Sequence, residues 1–80
     1  MSINVLVFAR YAEAVGFDSL EMEGDFATVD AVRLALANDP AFAVLNESSL
    51  MCARNEELCS LDEPLVEGDE VAFFPPVTGG

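Results

Sequence analysis

Alternating apolar side chains open the chain. In Ile3-Asn4-Val5-Leu6-Val7-Phe8 the β-branched residues recur at every second position, the period of a strand whose successive side chains point to opposite faces. Ile3, Val5 and Val7 share one face and Asn4, Leu6 and Phe8 the other, so both faces are largely apolar. Arg10 to Val15 predicts a short helix, ended by Gly16 in the left-handed conformation common just past a helix C-terminus. Asp18 to Glu23 alternates again, with Leu20 and Met22 on one side, and predicts a short strand. The period then changes. Val29, Val32 and Leu36, with Ala35 as filler, form a helical stripe. Thr28 is placed to cap that helix and Asp30 puts negative charge in its first turn, where it is favoured. Asn38-Asp39-Pro40 stops it, because proline steers the preceding residue away from helix. Residues 41–46 have room for a further helical turn.

Two more short runs, Leu50 to Arg54 and Glu57 to Ser60, flank Asn55-Glu56 and predict a hairpin. A two-residue turn there pairs Arg54 with Glu57, Ala53 with Leu58 and Cys52 with Cys59. Asp62 to Asp69 is an acidic loop carrying Pro64 and Gly68, expected to be a solvated turn, and Val71 to Phe74 is the last strand. The order is strand, short helix, strand, helix, then three strands. An α+β fold follows, in which one main helix packs across one face of a mixed sheet of about five strands. Residues 1–76 are expected to form a single domain, with 77–80 as a flexible tail.

If Ile3, Val5, Val7, Val71 and Phe73 face the helix, then Leu6, Phe8, Ala72 and Phe74 point away from it, and Leu58 joins them if the hairpin lies on that side. Nothing in so short a chain remains to cover this second face. An exposed patch of this kind marks a protein contact more often than chance apolar surface.

Composition narrows the possibilities. At 80 residues with 52% hydrophobic content the chain can build one small core. The first 20 residues lack a basic start, and no apolar run approaches the length of a membrane span, so a cytoplasmic protein with no membrane partner is expected. Net charge is −12, from 15 acids against three arginines, with no lysine or histidine. A phosphate-binding face needs clustered cations, so nucleic acid is not expected as a partner. An acidic body suits a basic partner and can speed the encounter.

Catalytic groups are scarce. Ser48, Ser49 and Ser60 have no histidine to activate them. Asp62, Glu63, Glu67, Asp69 and Glu70 do not follow a calcium-loop spacing. Two cysteines without histidine do not make a metal site. Their facing positions leave a disulfide geometrically open, although a buried reduced thiol is the ordinary state inside cells.

The end of the sequence points elsewhere. Phe73-Phe74 runs into Pro75-Pro76, which donate no backbone hydrogen bonds and end the sheet. Val77-Thr78-Gly79-Gly80 follows. Two glycines let backbone thread a narrow space, and six residues from Pro75 to Gly80 extend at most about 20 Å. The reactive group expected at the tip is the Gly80 α-carboxylate. No lysine on the chain could capture that carboxylate once activated.

The stretch from Leu65 to Gly80, ending Phe73-Phe74-Pro75-Pro76-Val77-Thr78-Gly79-Gly80, resembles the small sulfur-carrying subunits of molybdopterin synthases, a family of ubiquitin-like β-grasp proteins. Val7-Phe8-Ala9, Val15-Gly16, Thr28-Val29 and the hairpin Asn55 extend the resemblance more loosely, whereas Ala12 stands where many members carry a basic residue. The resemblance implies a β-grasp fold with the first and last strands adjacent and central. It also implies that an ATP-dependent adenylating enzyme activates Gly80 and that a sulfur donor converts it to a thiocarboxylate. The large catalytic subunit would then receive the tail, with Phe8, Leu58, Phe74, Pro75 and Pro76 at the contact and Val77, Thr78 and Gly79 threading. The chain itself binds no cofactor or metal in this picture. Related acceptors (thiamine, cysteine, tRNA or a protein) and a purely noncovalent binding module remain open.

Overall fold

The alternation at the N-terminus decides how the sheet is covered. In the computed structural model, which describes residues 1–76, strand β1 spans Ser2–Val7 and buries Ile3, Val5 and Val7 almost completely. Phe8 lies just beyond the strand, yet its N–H still donates to the Phe73 carbonyl at 3.2 Å. Helix α1, Arg10–Val15, ends on Gly16, whose N–H still donates to the Ala12 carbonyl and whose φ of 86° turns the chain out of the helix. Strand β2, Ser19–Glu23, then runs antiparallel to β1, with Met22 opposite Ile3 and Leu20 opposite Val5. As an edge strand it leaves Leu20 exposed and Met22 half-buried against the core.

Helix α2, Val29–Ala37, crosses the inner face and buries Val29, Val32 and Leu36. The Thr28 hydroxyl accepts the Ala31 N–H at 3.3 Å, the cap that the sequence predicts. Ala35, expected to fill the stripe, is exposed instead, whereas the half-buried Ala31 and Ala37 pack against the core. A 3-10 segment follows at Pro40–Asn46, kinked at Phe42 and burying Leu45. Arg33 ties it to α2, donating to Asp30 at 2.6 Å, to the Leu45 carbonyl and to the Asn46 side chain.

Strands β3, Met51–Arg54, and β4, Glu57–Cys59, pair in the expected register, Cys52 with Cys59 and Ala53 with Leu58. Asn55 and Glu56 turn between them with φ of 49° and 70°, both left-handed as a two-residue type I′ hairpin requires. Strand β5, Glu70–Phe74, lies parallel to β1 and antiparallel to β3. The order β2-β1-β5-β3-β4 therefore puts the first and last strands side by side at the centre. Helices cover one face only. This is the α+β, β-grasp arrangement.

The acidic loop before β5 is not uniformly a solvated turn. Asp69 is only 5% exposed. Its carboxylate accepts from Arg54 Nε at 2.8 Å, Asn55 Nδ2 at 3.0 Å and the Val66 N–H at 2.8 Å. Burial by itself would raise this carboxyl; the hydrogen bonds from Arg54, Val66 and Asn55, with the Arg54 charge, outweigh it and hold the pKa below its ordinary value. Asn55 also accepts the Glu70 N–H and gives its own N–H to the Glu70 carbonyl. Hairpin turn, acidic loop and the start of β5 are thus pinned at one point.

Candidate functional site: the uncovered sheet face

Period-2 side-chain placement on the central strands builds the face opposite the helices. Register aligns Leu6 with Ala72, Ala72 with Ala53 and Ala53 with Leu58, one apolar row across four strands. A second row begins with Phe74 beside Met51, and Phe8 continues it at the end of β1. Ala53 and Ala72 are small and buried, so they form a floor, while Phe8 at 48% and Leu58 at 69% exposure stand as walls. Leu6, Phe8, Ala53, Leu58, Ala72 and Phe74, with Glu56 and Glu70 at the rim, enclose a shallow depression of about 290 Å³.

A backbone turn aims Phe8. The Tyr11 N–H donates to the Phe8 carbonyl at 3.2 Å, closing a four-residue turn in which Ala9 adopts φ 56°, ψ −136°. That is the first central position of a type II′ turn, ordinarily a glycine, and side chains there are strained by roughly 1–3 kcal/mol. What over-determines it is the next residue pair. Tyr11 is fully buried and its hydroxyl donates to Glu47 at 2.8 Å, while Arg10 grips the same carboxylate with two hydrogen bonds of 2.6 and 2.7 Å. Burial first, and then the bond to Glu47, push the Tyr11 hydroxyl up to about 12, so it stays a donor at any physiological pH.

All three arginines are engaged away from the uncovered face: Arg10 with Glu47, Arg33 with Asp30, and Arg54 with Asp69 and Glu63. The face therefore offers an apolar centre and a carboxylate rim with no arginine of its own. Burial chiefly raises both cysteine thiols, Cys52 to about 12, so neither is a ready nucleophile at neutral pH. Among the described residues no group of three or more His, Cys, Asp or Glu is placed to hold a metal ion, and no helix is long and apolar enough to cross a membrane. Such a face can bind.

The structure brings Phe8, Leu58 and Phe74 together around one depression, as the sequence predicts. Pro75 and Pro76 leave the sheet beside them, half-buried. Val77, Thr78, Gly79 and Gly80 lie outside the described residues. Sequence reasoning missed Met51 and Ala53 on this face. The signal was present, since Ala53 is paired with Leu58 across the hairpin and Met51 shares its parity.

Known proteins resemble this chain in both sequence and structure. The pattern of the ThiS family matches residues 5–80. The molybdopterin synthase sulfur carrier subunit of Escherichia coli K12 is 50% identical over 80 residues, covering 98% of this chain and 99% of that protein; its Haemophilus influenzae counterpart is 46% identical with the same coverage. Among solved structures, SAMP1 of Haloferax volcanii is similar at 32% identity and a TM-score of 0.84, with 100% of both chains covered.

Proposed function

Since the chain belongs to the ThiS family, we propose that it is the sulfur carrier subunit of a molybdopterin synthase. In this reading the Gly80 carboxylate attacks the α-phosphate of ATP on a separate adenylating enzyme, releasing pyrophosphate and forming an acyl adenylate. A sulfur donor delivers a hydrosulfide equivalent that displaces AMP and leaves a thiocarboxylate. The large catalytic subunit holds a pterin precursor, and the tail presents sulfur to it at high effective concentration. The chain is a co-substrate that binds no cofactor of its own, and it works in the cytoplasm.

The observation that carries this reading is continuity. The uncovered face ends on Phe74, and from Phe74 the chain passes at once into Pro75-Pro76 and the diglycine. Docking that face on the large subunit fixes where the tail begins, so the roughly 20 Å reach of residues 75–80 leads from the contact to the acceptor. Phe8, Leu58, Phe74, Pro75 and Pro76 make the contact; Val77, Thr78 and Gly79 thread; Gly80 carries the sulfur. The 50% identity to the Escherichia coli carrier, over nearly the full length of both chains, supports the same assignment.

Similarity to SAMP1, a small archaeal modifier protein, favours one second reading: the same activated terminus passed to a protein. Removing Gly79 and Gly80 separates carrier from simple binding module. Retained binding to the large subunit with lost pterin sulfuration is expected. Survival of both activities would overturn the carrier role, and protein conjugates in place of sulfurated pterin would select the second reading.

A further inference from the structure

Cys52 and Cys59 play no part in the chemistry above, although they are the chain's only two cysteines. They face each other across the β3–β4 ladder with their sulfurs 3.8 Å apart. We propose that they form a thiol–disulfide exchange site, closed to an intramolecular disulfide by a small-molecule disulfide such as oxidised glutathione.

The backbone spacing suits a disulfide. Counting back from the two-residue turn, Arg54–Glu57 is a hydrogen-bonded pair and Cys52–Cys59, two positions on, is another. Cα atoms in such pairs stand about 5.5 Å apart, within the range of about 4.4–6.8 Å that a disulfide spans. The sulfurs close from 3.8 Å to about 2.05 Å by side-chain rotation and a small approach of the edge strand, since Cβ atoms about 4.5–5.5 Å apart across a ladder must come to about 3.5–4.5 Å, giving up the bond of 3.3 Å from the Cys52 thiol to the Cys59 carbonyl. Cys59 is half-buried and Cys52 buried, which sets the order of events. Cys59 loses its proton to solvent and its thiolate attacks one sulfur of the small disulfide, forming a mixed disulfide and expelling one thiolate. Cys52, deprotonated in turn, attacks the Cys59 sulfur and expels the second. Two cysteine thiols are oxidised by two electrons, and the small disulfide is reduced to two thiols that take up the two protons. Burial raises both cysteines, so the reaction quickens as pH rises through the alkaline range.

The lock acts on the docking face. Strand β4 has three residues and lies at the sheet edge, and Leu58 stands between Glu57 and Cys59 as a wall of the depression. Bonding Cys59 to Cys52 fixes that wall to β3. This consequence rests on the uncovered face being the contact with the large subunit.

Incubating the full chain with oxidised glutathione at mildly alkaline pH, then measuring intact mass without reductant, tests the site. Expected is a monomer lighter by two hydrogens, with a linked Cys52–Cys59 peptide that reduced glutathione reopens; Cys52→Ser stops at the glutathione adduct. Persistent adducts, intermolecular dimers or no reaction, in a buffer where the urea-unfolded chain does close, would overturn the proposal. The oxidised chain should dissociate from the large subunit at least about twofold more slowly, because the wall is preorganised. Equal rates would refute the docking consequence, whereas no binding in either redox state would count against the carrier reading alone and leave the mass result standing.

Discussion

Replacing Asp69 with alanine removes one acceptor shared by three donors. Arg54 Nε, Asn55 Nδ2 and the Val66 N–H all lie within 3.0 Å of its carboxylate, and the residue is 5% exposed. A hydrogen bond to a charged group contributes about 1.5–3 kcal/mol when both partners are dry. Here Arg54 keeps Glu63 at 3.2 Å and Asn55 is exposed, so both donors recover part of the loss from Glu63 and water. About 1 kcal/mol for each bond gives a destabilisation of about 2–3 kcal/mol. For 80 residues the whole stability is on the order of 4–12 kcal/mol, so the change is large. With a urea slope of about 1 kcal/mol/M, the unfolding midpoint at pH 7 should fall by about 2–3 M. The same carboxylate shapes the acid limb of stability. The folded carboxyl lies below its ordinary 3.8, so its stabilisation is complete above the unfolded value and lost as pH falls through the folded one. The wild type should lose this increment in that acid window, and Asp69→Ala should lack it. A midpoint shift under about 0.5 M at pH 7, or an unchanged acid limb, would refute the hub role of Asp69.

Further expectations concern the contact face and its supports. Phe74→Ala should weaken binding to the large subunit by about 2 kcal/mol or more, roughly 30-fold in Kd, and the exposed Leu58→Ala should weaken it without lowering the melting temperature; unchanged affinity in titration calorimetry would remove the face from the contact. Tyr11 is the only tyrosine and there is no tryptophan, so phenolate absorbance reads it alone. The folded midpoint should lie near 12 against an ordinary 10.0, with its stabilisation full below pH 10 and lost as pH rises towards 12; a folded midpoint near 10 would sink the buried bond to Glu47. Ala9→Gly should relieve about 1–3 kcal/mol of backbone strain against about 0.5–1 kcal/mol of added chain entropy. A neutral to slightly raised melting temperature is expected, and a clear drop would show that Ala9 is unstrained.

What the sequence makes legible is what depends on neighbours a few residues apart. Alternation in Ile3–Phe8 separates the core side from the contact side, Thr28 marks the start of α2, and Asn55-Glu56 sets the Cys52–Cys59 register. Features that need distant partners were hidden. Asp69 reads as one acid in an acidic run because its donors Arg54 and Asn55 lie 15 and 14 residues upstream. Glu47 reads as a surface acid because Arg10 and Tyr11 are 37 and 36 residues away. Ala9 gives no sign of a glycine-type conformation, since only the anchoring of Phe8 and Tyr11 on either side enforces it. The tail is the converse case: Pro75-Pro76 and the diglycine are plain in sequence, and their meaning comes from the face they leave.

The most direct test of the carrier role is the intact mass of the protein after incubation with ATP, a sulfur source and the adenylating enzyme of its own host. Exchange of one oxygen for one sulfur, mapped to Gly80, is the predicted result. No mass gain, with an enzyme that demonstrably loads another carrier under the same conditions, would contradict it.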